Sequence, residues 1–238
     1  MTGSTTFTWK GRAGPFDLEL SDSTFQPSTI STLLADAIDL GGGEVVIDLG
    51  CGSGVLAIVA ARLGAGHVHG IDSAPDVVAV AGANARRAGV ADRVTFYHGD
   101  LFDPLPAEVK ADLVIGDVSG IPDALAEESG WFPGKMGGGP RGSELPIRML
   151  EAARRFLKPG GRLLLPTGSL QDESAILDRA RDLYGRVTKL IERNIPLPGA
   201  LAESGTVRKL IQDGIVRLSQ RGSRFVWTAR VWESAPSV

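Results

Sequence analysis

The chain has 238 residues, of which 43% are hydrophobic and 22% are charged, and its formal net charge is −3. This length suits one domain with small additions and allows a sizeable buried core. A mildly acidic chain has no general attraction to phosphate backbones, so we do not expect nucleic acid as a partner. The single cysteine, Cys51, excludes an internal disulfide framework and is typical of a reducing compartment.

Signals that direct a chain to a membrane are not found. The first ten residues lack a basic region followed by an apolar run, so we expect no signal peptide. No stretch approaches the length of about 20 apolar residues that a membrane-spanning helix needs. We therefore expect a cytoplasmic protein with no membrane partner.

The N-terminal part predicts a short hairpin and a helix. Apolar and polar residues alternate in residues 7–9 and 16–20, and the turn-forming stretch 11–15 separates these two pieces, which is typical of a β-hairpin. Apolar residues then recur with a helical period from Ser28 to Asp39. Three glycines at 41–43 end this helix.

Strands and helices alternate in the middle of the chain. Short apolar strands separated by helices predict right-handed crossovers and a parallel sheet covered by helices on both faces. The predicted strands span 45–48, 68–71, 94–97, 112–115 and 162–165, and the predicted helices span 55–63, 75–88 (with Ser73 as its cap), 145–157 and 172–184.

The pattern changes after residue 185. Residues 187–195 are typical of a strand, and 215–218 with 225–232 predict a closing hairpin. An antiparallel strand at that edge makes the prediction a mixed seven-stranded sheet. One connection, Val118 to Ser143, is long and rich in glycine, and such connections are usually functional loops or disordered. We expect it to be a mobile cover that closes over a ligand.

The strongest chemical signal is a glycine-rich turn directly after a buried strand. Gly50, Gly52 and Gly54 are spaced G-x-G-x-G, whereas the dinucleotide fingerprint is G-x-G-x-x-G with Val55 in the last place here. Asp48 precedes the turn, and its negative charge favours a cationic ligand over a pyrophosphate. The alternatives are a dinucleotide site and a tight turn that binds nothing.

Two further acids follow the next two strands. Asp72 can accept the ribose hydroxyls of a nucleotide-like ligand, and Asp100 can accept from an adenine amine. Each one alone is as readily a helix cap or a solvated turn acid. Three acids at the ends of three consecutive parallel strands instead favour one shared site.

These motifs resemble those of the class I S-adenosylmethionine-dependent methyltransferases. Within that class the chain, from about Gly14 to Ser169, is similar to the release-factor glutamine N5-methyltransferases. Phe25-Gln26-Pro27 with Ser31 resembles that family's proline-to-threonine entry segment, which borders the donor. Gly138 to Gly142 resembles its glycine motif, and Leu157 to Gly161 its turn into strand five.

The resemblance implies a single Rossmann-like α/β domain over 1–238, with a hairpin extension at 1–25 and a catalytic core at 26–238. It also implies that the cofactor is S-adenosyl-L-methionine. The residues expected to hold it are Asp48, Gly50, Gly52, Gly54, Asp72, Ser73, Asp100, Leu101, Pro27 and Ser31.

The segment after the fourth strand departs from that family. Where those enzymes carry Asn-Pro-Pro-Tyr, this chain has Asp117-Val118-Ser119-Gly120. A carboxylate can accept hydrogen bonds from an amine or guanidine and can take its proton, so Asp117 favours a basic nitrogen acceptor. The alternatives are that Asp117 caps a turn or binds the donor's ammonium group.

Three further residues are expected to contact the substrate. Ser119 follows Asp117, and Trp131 with Phe132 can close over a cation through cation–π contact. Ordinary packing of the two aromatic rings onto the core is an equal alternative.

We expect N-methylation of a small amine, amino acid or guanidino metabolite. The alternatives are a protein methyltransferase similar to the glutamine N5 group, a donor-only reaction such as intramolecular cyclisation, and a regulatory protein that keeps the fold without turnover. His67, His69 and His98 do not form a metal-ligand spacing with Cys51, so no metal is expected.

Overall fold

The computed structural model describes residues 5–132 and 136–236, and these form a two-stranded sheet and an eight-stranded sheet. The strands are β1 (Thr5–Trp9), β2 (Phe16–Leu20), β3 (Val45–Leu49), β4 (His67–Asp72), β5 (Val94–His98), β6 (Ala111–Gly116), β7 (Leu157–Gly168), β8 (Arg186–Pro196), β9 (Ser219–Arg221) and β10 (Arg224–Ala235). The helices are α1 (Thr29–Ala37), α2 (Val55–Arg62), α3 (Val77–Arg87), α4 (Asp123–Ser129), α5 (Glu144–Ala153), α6 (Glu173–Tyr184), α7 (Gly199–Ala202) and α8 (Gly205–Gln212). Within these described stretches no helix is long and apolar enough to cross a membrane.

The chain divides into two compact units. Unit 1 comprises residues 1–117 and 152–165, and unit 2 comprises 118–151 and 166–238. The interpretation of 26–238 as one catalytic core stays a prediction.

The predicted N-terminal hairpin is confirmed and belongs to unit 1. β1 and β2 pair antiparallel from Thr5↔Leu20 to Trp9↔Phe16. The side chain of Asn84 on α3, which is fully buried, accepts from the backbone N–H of Glu19 at 2.8 Å and donates to its carbonyl at 2.9 Å. Because a buried amide satisfied on both sides fixes position, this pair of bonds sets the hairpin against α3.

The parallel part of the sheet lies in unit 1 and has the order β5-β4-β3-β6-β7. All four neighbouring pairs in it are parallel, with registers such as Val46↔Val68 and Val46↔Leu113. β3 is buried on both faces, which explains why its sequence is continuously apolar up to Asp48. The carboxyl ends of the central strands therefore meet at one edge, where ligands bind in open α/β sheets.

The mixed α/β fold is confirmed, with eight strands in the larger sheet where the sequence predicts seven. In unit 2, β10 pairs antiparallel with β8 from Val226↔Pro196 to Ala235↔Arg186. β9 is a three-residue partner of β10 and lies directly after the predicted strand at 215–218.

Three local predictions differ from the structure. Ser73 does not cap α3, which begins at Val77 with Asp76 at its N-cap. The helix starts later than predicted because the carboxylate of Asp72 accepts from the N–H of Ala74 at 2.8 Å and so forms a turn first. Residues 215–218 are not a strand: the N–H groups of Ile215 and Val216 both bond to the carbonyl of Leu210 at the end of α8.

The third difference concerns the long connection, in which the sequence predicts no helix; its closure over a ligand stays a prediction. Residues 123–129 of the expected cover form α4, because Leu125 and Ala126 are buried in an apolar cluster of unit 2. Residues 133–135 of the same segment lie outside the described residues. The cluster comprises Ile121, Leu125, Ala126, Leu170, Leu197, Ala202, Val207, Leu210, Ile215 and Val216.

Candidate functional site

The glycine turn after β3 is sharply folded. Gly50, Gly52 and Gly54 have φ of 73°, 48° and 83°, conformations that side chains rarely adopt. A Cβ on Gly54 would lie 3.1 Å from both Ala81 and Phe96, so the packing of α2 requires glycine there. A Cβ on Gly52 would lie 3.8 Å from the carbonyl oxygen of Phe25, which is an ordinary van der Waals contact, so at this point the backbone conformation and not the packing favours glycine.

Asp72 holds the same turn from the end of β4. Its Oδ2 accepts from the N–H of Gly52 at 2.8 Å, and its Oδ1 accepts from the N–H of Ala74 at 2.8 Å. The sequence expects Asp72 to bind ribose hydroxyls, and the structure adds a backbone role. Since each carboxylate oxygen has two lone pairs, both oxygens keep the capacity to accept from a ligand.

Asp48 is a fully buried carboxyl beneath the turn. Among the described residues, no donor makes a hydrogen bond of normal geometry to either of its oxygens. Burial raises its pKa well above the usual range, the charge of Asp117 raises it further, and the amide of Ala57 offsets this only partly. A buried carboxylate without a partner is costly, so a cationic group nearby would relieve a cost already present.

Asp117 directly follows β6 and keeps part of its surface exposed. Burial of the carboxyl raises its pKa to about 7; a hydrogen bond from Ser31 lowers the pKa, and the charge of Asp72 raises it. Three acids from the ends of β3, β4 and β6 thus influence one another electrostatically. The sequence predicts one shared site for Asp48, Asp72 and Asp100. In the structure it is Asp117 whose charge interacts with Asp48 and Asp72.

Ser31 lies in the first turn of α1 and is 2% exposed. Its hydroxyl accepts from the N–H of Ser28 at 3.2 Å in a capping box, which begins the helix directly after the buried Pro27. The expected entry segment therefore acts on one of the acids, because the Ser31 hydroxyl lowers the pKa of Asp117.

The segment after β5 contains a backbone outlier. Leu101 has φ of 46°, a left-handed conformation that is uncommon for a leucine, beside the exposed Asp100. Strained residues of this kind cluster at ligand sites. Ser73, by contrast, is exposed, and its carbonyl bonds to the His98 ring at 3.1 Å.

The expected substrate residues all lie in unit 2 and differ in their surroundings. The Ser119 hydroxyl donates to the carbonyl of Met136 at 3.0 Å. Phe132 packs against the apolar cluster, which agrees with the alternative that the aromatic rings pack onto the core. The Trp131 side chain, by contrast, is 37% exposed.

Sequence reasoning missed Gln171 in unit 2. Its side chain is 6% exposed, and its amide nitrogen has no hydrogen-bond partner within the described part of the chain. A lone glutamine between Leu170 and Asp172 carries no sequence signal, because only folding determines that its amide is buried.

Comparison with known families defines the class of protein. A family model described as a methyltransferase domain matches residues 40–211, which is more than half of the chain. The chain therefore belongs to this methyltransferase domain family, whose methyl donor is S-adenosylmethionine. The release-factor group within the class is not specifically supported.

Among curated relatives, the ribosomal protein L11 methyltransferase of Actinobacillus succinogenes is 47% identical over 83 residues, which are 35% of this chain and 27% of that protein. The match thus spans about a quarter of the relative's length.

Two solved structures show the same fold. Precorrin 8w decarboxylase of Methanobacterium thermoautotrophicum aligns with a TM-score of 0.58 and 21% identity, over 92% of this chain and 96% of that one. A 16S rRNA N2 methyltransferase of T. thermophilus, solved with AdoMet and guanosine, aligns with a TM-score of 0.63 and 15% identity, over 98% of this chain and 51% of that one.

The residues of unit 1 fit this donor. S-adenosylmethionine carries two positive charges and a ribose, and beneath the turn lies a buried carboxyl at Asp48 with no hydrogen-bond partner among the described residues. Such a group would be unfavourable in a turn that binds nothing.

Proposed function

We propose that this chain transfers a methyl group from S-adenosylmethionine to a basic amine nitrogen of a protein. The observation that carries the proposal is Asp117, a carboxyl at the end of the fourth parallel strand of the sequence, whose pKa is raised by burial to about 7. The donor supplies an electrophilic methyl group when it is bound. The chain's own residues must bind it, exclude water and present the acceptor lone pair.

Donor binding is assigned to the acids and glycines of unit 1. In this proposal Asp48 balances positive charge from a buried position, and the glycine turn lets the backbone approach the ligand at Gly52. Asp72 accepts from the ribose while it holds the Gly52 amide, and Asp100 with Leu101 borders the adenine. Pro27 and Ser31 border the donor from the side of α1.

Acceptor activation is assigned to Asp117. An ammonium group has no lone pair, so it must lose a proton before it can attack the methyl carbon. A carboxyl with a pKa near 7 is poised to accept that proton at neutral pH. A neutral amide has no ammonium proton to lose before it attacks, so a base with this pKa favours an amine over the glutamine acceptor of the resembling family.

The relatives favour a protein acceptor over the small metabolite that the sequence analysis prefers. The name of the 47% identical relative describes methylation of a ribosomal protein. The expectation that nucleic acid is not a partner finds no support, since one protein of similar fold is an rRNA methyltransferase.

The test supplies donor with an isotopically labelled methyl group to three acceptor pools: RNA-free bacterial ribosomal proteins, including L11, then protein-free rRNA, and then small amines and amino acids. We expect label in protein, at an amine nitrogen identified by peptide mass spectrometry. Asp117→Asn is the matched control and should transfer little. Label confined to RNA or to small molecules would overturn the protein acceptor, and methylthioadenosine without transferred label would indicate a donor-only reaction.

A further inference from the structure

Basic residues are concentrated in one stretch of unit 2. Residues 186–224 contain eight lysines and arginines but three aspartates and glutamates, although the whole chain has a formal net charge of −3. A local excess of one charge attracts the opposite charge whatever the net charge of the chain. An anionic partner is therefore attracted to this stretch more than to the chain as a whole.

Two arginines face each other at the tip of the β9–β10 hairpin. Arg221 on β9 and Arg224 on β10 are register partners across the turn Gly222-Ser223, and both are exposed. Within the described part of the chain, neither side chain makes an ion pair or a hydrogen bond. Like charges directly opposite each other destabilise an antiparallel pair. A bound anion would remove this repulsion, and two guanidinium groups can both donate to the oxygens of one phosphate.

A depression of about 390 Å³ in the surface of unit 2 lies directly beside this pair. Its volume falls within the range of small-ligand pockets, roughly 300–1,000 Å³. The partly exposed ring of Phe225 offers aromatic surface on which a base can stack, and Pro196 and Pro198 add apolar surface. Since Arg224 also lines the depression, a base and its phosphate can be bound at the same time.

A third arginine and one acid complete the charges around the depression. Glu203 lines it and is exposed, so its carboxylate opposes an anion. Nε of Arg208 on α8 donates to the backbone carbonyl of Glu203 at 2.9 Å, which places this guanidinium beside the acid. Arg221 and Arg224 add two further positive charges, so the balance is positive and favours an anionic ligand.

We propose that this surface binds single-stranded RNA, with a phosphate on Arg221 and Arg224 and a base in the depression against Phe225. An acidic peptide would satisfy the arginines without using the apolar depression, and a duplex keeps its bases stacked inside. Glu203 and Ser223 can bond to the ribose 2′-hydroxyl, which DNA lacks. The inference concerns binding alone and goes beyond the methyl transfer proposed above.

The test measures the affinity of the full chain, without donor, for an unstructured oligoribonucleotide of about 12 nucleotides. Arg221→Ala/Arg224→Ala should weaken binding about tenfold or more. It should also lower the slope of log K against log salt by about 1.4, since each phosphate contact on a single strand contributes about 0.7. Arg179→Ala/Arg181→Ala removes the same charge from α6, where both arginines are paired with acids, and should change the affinity by less than about twofold.

Two further variants test the base and the ribose. Phe225→Leu keeps an apolar side chain against the cluster of unit 2 and removes the ring, so RNA binding should weaken about fivefold or more with an unchanged salt slope. A DNA strand of the same sequence should bind more weakly than the RNA. Glu203→Ala should reduce this difference.

The inference is overturned if the arginine-pair variant binds RNA as the control does, or if its salt slope is unchanged. RNA binding that Phe225→Leu leaves intact, or oligoglutamate bound as tightly as RNA, would show a general anion surface and overturn the assignment as well. Equal affinity for RNA and DNA would overturn the choice of RNA. Because no measurement includes a methyl donor, failure of the proposed methyl transfer does not affect these outcomes.

Discussion

The Ser31 hydroxyl, in the first turn of α1, lowers the pKa of the Asp117 carboxyl, which directly follows β6. The same hydroxyl accepts from the N–H of Ser28 at 3.2 Å, which holds it at the start of the helix. Its interaction with Asp117 stabilises the charged form of that carboxyl and opposes the effect of burial on its pKa.

Ser31→Ala should therefore raise the pKa of Asp117 above about 7. Transfer to the acceptor should then need a higher pH, because the carboxyl must be ionised to accept a proton. The measurement is the pH profile of kcat/KM, and its acidic limb should move upward. Ser31→Thr keeps the hydroxyl and should restore the original profile; identical profiles for all three proteins would contradict this role of the Ser31 hydroxyl.

Asp117→Asn should change stability in a pH-dependent way. The folded-state pKa of Asp117, about 7, lies above the ordinary pKa of an aspartate, which is about 3.9. The folded state therefore holds the proton more tightly, and stability is lost as pH rises from about 4 through about 7. The asparagine variant removes this loss, so its Tm without donor should exceed that of the native chain at pH 8 and approach it at pH 4.

The same variant should lower turnover by about 10²-fold or more, the usual scale for a positioned base. Thermal melts at several pH values and a labelled-methyl assay measure the two effects separately. A Tm difference that is constant with pH would mean that Asp117 does not titrate in this window. Full turnover in the variant would instead indicate a neutral acceptor.

Asp72→Ala should weaken donor binding by roughly tenfold to over a hundredfold, since a hydrogen bond to a charged group contributes about 1.5–3 kcal/mol. Asp72 also holds the N–H groups of Gly52 and Ala74, so part of this loss should come from a loosened turn. Calorimetry with Asp72→Asn, which keeps one acceptor oxygen, should give an intermediate affinity. Unchanged affinity in a folded alanine variant would remove Asp72 from the donor site.

Gly52→Ala and Gly54→Ala should separate binding from packing. Alanine at 52 has no protein atom closer than 3.8 Å, so beyond about 1–2 kcal/mol of left-handed strain the fold should tolerate it. Alanine at 54 would press on Ala81 and Phe96 at 3.1 Å and should destabilise the fold more. Donor affinity should fall sharply at Gly52, and a folded Gly52→Ala protein that binds donor normally would show that the turn is not the binding surface.

Trp131→Ala and Phe132→Ala should separate a contact with the acceptor from packing in the core. Phe132 packs against the apolar cluster of unit 2, so its loss should lower stability by up to about 3 kcal/mol. Trp131 is 37% exposed, and its loss should change stability by only about 0.5 kcal/mol. If Trp131 contacts the acceptor, its variant should raise KM; denaturant melts and acceptor titrations distinguish these outcomes.

The order of strands and helices, the glycine turn and the acids at strand ends could all be predicted from the sequence. These features depend on periodicity and turn chemistry within a few neighbouring residues. Val45 to Gly54 alone predicts a buried strand, a sharp turn and a helix, and the structure has all three.

Other features depended on contacts between distant segments. The burial of Leu125 and Ala126 turned part of an expected loop into α4, and the bond from Asp72 to the amide of Ala74 displaced the start of α3. The unpaired carboxylate of Asp48 and the covered amide of Gln171 have no local sequence signal at all. Whether a polar group is buried, and whether it finds a partner, is decided by side chains far apart in sequence, so only the tertiary structure determines it.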